Sequence, residues 1–151
     1  MATKVDGRGQ PAQAYRHASK SITFDGSAGF GLAGTNITMF TVTGEVEILR
    51  IVPFCTTLLT ESGATATLSL GLTGSVAFFI AATNAVDIDA NEFWVDTAPD
   101  PIGIAIPAGL KEIAITDDIL LAPAVTNVAS GVLRIDVWWR PLSVNGNLVA
   151  A

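Results

Sequence analysis

The sequence predicts an all-β protein: a single antiparallel β-sandwich, jelly-roll-like, with an extended N-terminal arm. Three observations carry that reading. Short runs rich in β-branched and aromatic residues recur along the chain, separated by glycine, proline and Asp/Asn turn residues. Residues 64–70 and 132–140 alternate apolar and polar side chains at the period of a strand with one buried face. No stretch longer than a turn or two carries the 3.6-residue apolar stripe and caps of a helix. The 151 residues suit one domain. A domain of this size buries roughly 70% of its unfolded surface, enough for a core without metals or disulfides.

Residues 1–20 read as an extended basic arm, rich in Gly, Gln and Ala with no sustained apolar period, and the sandwich occupies 21–151. Ile22-Thr23-Phe24 opens the body, and the glycines at 26, 29, 31 and 34 mark a loop. Ile37–Thr43 is dense in β-formers. Val46–Phe54 follows, with Pro53 marking an edge, a bulge or the strand's end. In 64–70, Ala66, Leu68 and Leu70 share one face and Thr65, Thr67 and Ser69 the other. Val76–Ala82 is continuously apolar and reads as a strand buried on both faces. Phe93-Trp94-Val95 is a further strand, ahead of a loop holding Pro99, Pro101 and Pro107. Ile113–Ile115 and Ile119–Leu121 flank an Asp117-Asp118 turn. In Val132–Arg140, Leu133, Ile135, Val137 and Trp139 point to the core, and Arg134, Asp136, Trp138 and Arg140 point outward. The tail around Asn145-Gly146 is too apolar for a solvated end and is expected to pack on a neighbour.

Half of the residues are hydrophobic and 15% are charged, against about 25% in a typical domain. So few solvating groups point to surface hidden by oligomerisation. The apolar excess is no membrane signal, because the richest run spans only residues 76–82 and a spanning helix needs about 20. The first residues lack the apolar stretch of a secretory signal, so synthesis in a cytoplasm is expected. The net charge of −6 is uneven. Residues 1–20 hold Lys4, Arg8, Arg16 and Lys20 against Asp6 alone, while the rest hold Arg50, Lys111, Arg134 and Arg140 against thirteen acids. A basic arm on an acidic body suits docking on an acidic surface such as a neighbouring subunit.

Catalytic chemistry finds little support. The single histidine, His17, lies in the arm, where no rigid base can serve a nucleophile. The single cysteine, Cys55, sits in an apolar run and reads as a small buried hydrophobe. Asp87, Asp89 and Asn91 offer oxygens at alternate positions, as a calcium loop does. Glu92 at the glycine position and Ala98 at the final glutamate position break that pattern, so no metal site is expected. No phosphate loop is present, and an acidic body argues against nucleic acid. Of the three tryptophans, Trp138 is the outward one, flanked by Asp136 and Arg140. It reads as a subunit contact in preference to a ligand platform.

Several segments resemble a family of small bacteriophage virion proteins. They are Val42–Val46 leading into Arg50–Cys55, Ala64–Gly71, Ile80–Thr83, Asp87–Ala90 and the closing Val137–Ser143. The resemblance implies a capsid decoration, or cement, protein on the outer surface of the phage head. On that reading it is a homotrimer that binds the major capsid protein and needs no cofactor. Lys4, Arg8, Arg16, Lys20, Trp138 and Arg140 then form the capsid or subunit interface. A receptor- or glycan-binding module of a tail fibre or baseplate is the alternative, with Trp138 as its platform. An enzyme on the same scaffold ranks behind both.

Overall fold

The computed structural model describes residues 15–151. The strands are β1 (Arg16–Thr23), β2 (Ile37–Thr43), β3 (Val46–Glu61), β4 (Thr67–Leu72), β5 (Ser75–Asn84), β6 (Glu92–Phe93), β7 (Lys111–Ile115), β8 (Ile119–Ala124), β9 (Val128–Pro141) and β10 (Asn147–Ala150). Two single 3-10 turns, Ala85–Asp87 and Ala108–Leu110, are the helical elements among the described residues.

Pairing explains the architecture. β4 pairs with β5, β3 with β6 and β7, β2 with β8, and β1 with β9, all antiparallel. These are the nested rungs of one long hairpin whose turn lies between β4 and β5. Two further pairings, β3 with β9 and β4 with β8, roll that hairpin into two sheets. The first sheet runs β1-β9-β3, with β6 and β7 sharing the far side of β3; the second runs β10-β2-β8-β4-β5. This winding is a jelly roll, with β10 added at one edge.

The core lies between the sheets. Ile48, Ile51, Cys55 and Leu59 of β3 and Leu133, Ile135, Val137 and Trp139 of β9 face Met39, Phe40, Leu68, Leu70, Ile119 and Leu121 of the second sheet. Trp94 is fully buried, and its indole nitrogen donates to Thr83 Oγ1 at 3.0 Å. That bond joins the loop after β6 to β5. At one end of the sandwich, Asn127 ties three loops together. Its Nδ2 donates to the Gly26 carbonyl, its Oδ1 accepts from Ala33 N–H, and its carbonyl accepts from Ser62 N–H.

Several strands depart from the sequence expectation. β1 begins at Arg16, so the paired chain starts ahead of Ser21. β3 runs through Pro53. The Pro53 carbonyl accepts from Trp94 N–H at 3.1 Å, and a strand residue's nitrogen faces the same side as its carbonyl. The missing donor therefore faces the gap between β7 and β6, where no ladder bond is lost. β5 is not buried on both faces. It is a sheet edge, and Val76 and Phe78 are exposed. β4 is more buried than its alternation implied, because Ser69 lies under the β5 backbone and donates to the Val76 carbonyl at 3.0 Å. The Asp117-Asp118 turn joins β7 and β8, which belong to different sheets. Asp118 Oδ1 accepts from Val42 N–H at 2.7 Å, fixing the crossing. The tail packs on its own domain: β10 pairs with β2, and Leu148 is buried.

Two substitutions test this packing. Gly131 sits in β9 at φ +112, where an added Cβ would lie 2.4 Å from the Leu58 carbonyl oxygen. Backbone strain and overpacking together put the cost of Gly131→Ala at about 2–4 kcal/mol. Gly29→Ala, also at positive φ but in open space, is expected to cost about 1–2 kcal/mol; urea unfolding of both variants measures the difference. Thr83→Val leaves the buried Trp94 N–H without an acceptor and should cost about 1–3 kcal/mol in the same assay.

Candidate functional site

Charge divides between the sheets. Every Lys and Arg among the described residues lies on a strand of the first sheet: Arg16 and Lys20 on β1, Arg50 on β3, Lys111 on β7, Arg134 and Arg140 on β9. The strands of the second sheet contain no Asp, Glu, Lys, Arg or His.

The outer face of the first sheet is a lattice of cations and aromatic rings. Cross-strand register builds it, setting His17 and Arg50 on opposite flanks of Trp138. The Arg50 guanidinium lies 4.3 Å from the Trp138 ring centroid, and the His17 ring lies 4.8 Å from it. Two rows along, Arg134 lies over Phe54 at 5.5 Å, and Phe54 meets Phe93 edge-on. At the other end, Arg140 lies over Tyr15 at 5.5 Å and pairs with Glu47. Asp136 accepts from His17 Nε2 at 2.9 Å and from Arg134 Nε at 2.7 Å. Burial alone would raise the Asp136 pKa; hydrogen bonds from Arg134, Ser19 and His17, with the Arg134 charge, outweigh it and hold the carboxyl below its usual range. Each exposed cation–π contact contributes roughly 0.5–1 kcal/mol. Together they fix the side chains of a flat surface that presents guanidinium edges and ring edges.

The structure distributes the sequence-predicted interface residues among different roles. Lys4 and Arg8 lie outside the described residues. Trp138 and Arg140 share the outer lattice, and Trp138 is half-buried between its neighbours. Arg16 sits over Trp139 at 5.2 Å on the inward register. Lys20 reaches across the open side of the sandwich, where Nζ donates to the Thr38 carbonyl at 2.9 Å and burial lowers its pKa. The lattice also recruits His17, Arg50, Arg134, Phe54 and Glu47, which the sequence reading did not single out as interface residues. Alternation in Val132–Arg140 pointed to Arg134, but its ring partner depends on register across strands.

Asp87, Asp89 and Asn91 are exposed. Among the described residues no group of three or more His, Cys, Asp or Glu side chains could hold a metal ion. Glu92 turns back to accept from Asp89 N–H at 2.9 Å. Cys55 is buried, and its thiol donates to the Thr57 carbonyl at 3.1 Å. Burial, with smaller contributions from the charges of Glu92 and Asp89, pushes its pKa up to about 11 against the bond to Thr57. It is therefore an unreactive thiol at neutral pH. An open recess of about 460 Å³ at one end is lined by Leu72, Phe78, Ile115 and Leu142, with Glu45 and Asp117 among its acids.

No protein-family model matches the chain, and no curated protein matches it either. One solved structure is similar in fold, the capsid asymmetric unit of cyanophage Pam1. It is 17% identical, with 93% of this chain and 91% of that chain covered at a TM-score of 0.49. A likeness that distant carries no function, and the jelly-roll assignment rests on the strand pairings above.

The Asp136 cluster predicts a pH dependence. A carboxyl with a depressed folded-state pKa adds stability above its unfolded pKa and loses it as pH falls through the folded value. Asp136→Asn should lower the unfolding free energy at pH 7 by up to about 1 kcal/mol, as for a partly exposed ion-pair network. The gap to wild type should close below about pH 4. Denaturant melts at pH 7 and pH 3 measure both values.

Proposed function

We propose that this protein is a virion structural protein that decorates the outer surface of a phage head and braces its lattice. The observation that carries the reading is the division of charge between the two sheets. The exposed positions of the second sheet, on β2, β5 and β10, carry no charge and suit a surface covered in an assembly, while β4 and β8 between them are buried on both faces. The charged, aromatic face then remains for a second partner. Jelly rolls serve in viral capsids and also in lectins, so fold alone does not choose between them. The resemblance of Val42–Val46, Arg50–Cys55, Ala64–Gly71 and Val137–Ser143 to small virion proteins favours the capsid. A glycan platform would need a free face on Trp138, and Arg50 and His17 flank that ring.

In this reading the protein is a homotrimer that binds the major capsid protein, with its basic N-terminal residues at the contact. Binding only the assembled lattice stabilises it by linkage, and three weak arm contacts add through effective concentration. The role is structural, with no catalytic step.

The test is co-sedimentation with phage heads stripped of accessory proteins, alongside light scattering. A mass near three times 15.6 kDa and saturable binding to heads are expected. Because β1 begins at Arg16, the informative truncation ends at residue 14. Deleting 1–14 should leave the melt unchanged and weaken attachment about tenfold or more, given the loss of three tethered contacts. Undiminished attachment would remove the arm from the interface, and no attachment of the full chain would remove the capsid reading.

A further inference from the structure

Asn145-Gly146 is the one Asn-Gly pair in the sequence. The side-chain carbonyl carbon of an asparagine can be attacked by the backbone nitrogen of the next residue, and glycine leaves that nitrogen unshielded because it has no side chain. Every other asparagine here precedes a residue that carries a side chain. The pair lies in the tight connection between β9 and β10. Gly146 N–H donates to the Ser143 carbonyl at 3.0 Å, closing a turn through Val144 and Asn145. Neither of those two residues has a positive φ, as in a type I turn. Ser143 Oγ accepts from Glu45 N–H at 2.9 Å and donates to Asn145 Oδ1 at 3.0 Å. Asn145 is exposed, whereas Gly146 is buried. A Cβ added to Gly146 would lie 2.4 Å from the Glu45 carbonyl oxygen and 2.9 Å from Pro141 Cβ.

We infer that Asn145 is a deamidation site that the folded turn holds shut and that opens when β10 leaves β2. The Gly146 nitrogen loses its proton and forms a bond to Asn145 Cγ; the Cγ–Nδ2 bond breaks, and ammonia leaves. The resulting succinimide ring is opened by water, at Cγ to give aspartate or at the backbone carbonyl to give isoaspartate. One water is consumed, one ammonia is released and one carboxylate is made. Two features of the turn oppose the first step. The proton to be lost is held by the Ser143 carbonyl. Bringing the nitrogen to Cγ also needs rotation about the Asn145 Cα–C bond, and the close contacts of Gly146 with Glu45 and Pro141 leave little room for it. The Ser143 hydroxyl could steady charge on Oδ1 only after the nitrogen has reached Cγ; in the closed turn it pins the side-chain amide. β10 has 4 residues and Leu148 is the buried one, so this strand opens at low cost. Opening then has a lasting consequence. Deamidation adds a negative charge against the Gly44-Glu45 turn, where Asn145 Oδ1 sits, and isoaspartate lengthens the chain just before β10.

The full chain is incubated at mildly alkaline pH, natively and in guanidinium chloride. Residue 145 is followed by peptide mass spectrometry, with isoaspartate resolved by chromatography. Native conversion at least about tenfold slower than in denaturant is expected, because the open fraction sets the native rate. Leu148→Ala loosens β10 and should speed native conversion about fivefold or more. Ser143→Ala should speed it as well, and Asn145→Gln fixes the background. Should Leu148→Ala fail to fold, the wild type and Ser143→Ala decide. Equal native and denatured rates overturn the inference, as does an unchanged native rate in folded Leu148→Ala. Slower conversion in folded Ser143→Ala overturns it too, since the hydroxyl would then be an activator.

Discussion

The pairing of β3 with β9 is the constraint on which the rest of the molecule depends. It runs from Val46 opposite Pro141 to Glu61 opposite Val128. One side of the pair lays down the core floor through Ile48, Ile51, Leu133, Ile135 and Val137. The other side sets Arg50 beside Trp138 and Phe54 beside Arg134. A one-residue slip would exchange these faces and bury guanidinium groups. Core and outer lattice therefore specify the same register. The ladder shifts register between Ile48 and Arg50 and again between Cys55 and Glu61; Pro53 turns its nitrogen away from β9, and Gly131 takes a backbone that a side chain would block. The pair also joins residues far apart in sequence, so closure of the roll requires long-range contact and is expected to be slow relative to a local meander.

What was legible in the sequence follows from what one strand can say about itself. β2 matches its β-branched run, Ile37–Thr43, at both ends. The inward and outward sets of β9 are as the alternation implied, because that strand sits mid-sheet with one face on the core and one in solvent. β5 misled because a continuous apolar run looks alike in a buried strand and in a strand at a sheet edge. Asp117-Asp118 reads as a turn in either case, and only tertiary pairing reveals that the flanking strands part to opposite sheets. For the candidate site, alternation identified Trp138 and Arg140, while Arg50 and His17 became its neighbours through cross-strand register, which a single sequence does not encode locally.

The distribution of charge bears on how such a chain stays soluble. Many of its acids lie in loops, at Asp25, Asp87, Asp89, Asp96, Asp100, Asp117 and Asp118. Net negative charge is thus carried by the loops, while the strands of the first sheet nearly balance their acids and bases and those of the second sheet are uncharged. Repulsion between copies keeps the chain dispersed without placing a charge where close packing is needed.

That arrangement separates two kinds of contact by their physics. In the proposed attachment, contacts of the basic N-terminal residues would be electrostatic and weaken as salt screens them over about 8–10 Å. Contacts made by the neutral second sheet would depend on apolar burial, which salt screens little and sulfate or phosphate strengthens. Rising ionic strength should therefore loosen attachment through the arm while holding or tightening association through the second sheet. Under the proposed function the two would be complementary: long-range attraction would govern the encounter, and short-range packing how long it lasts.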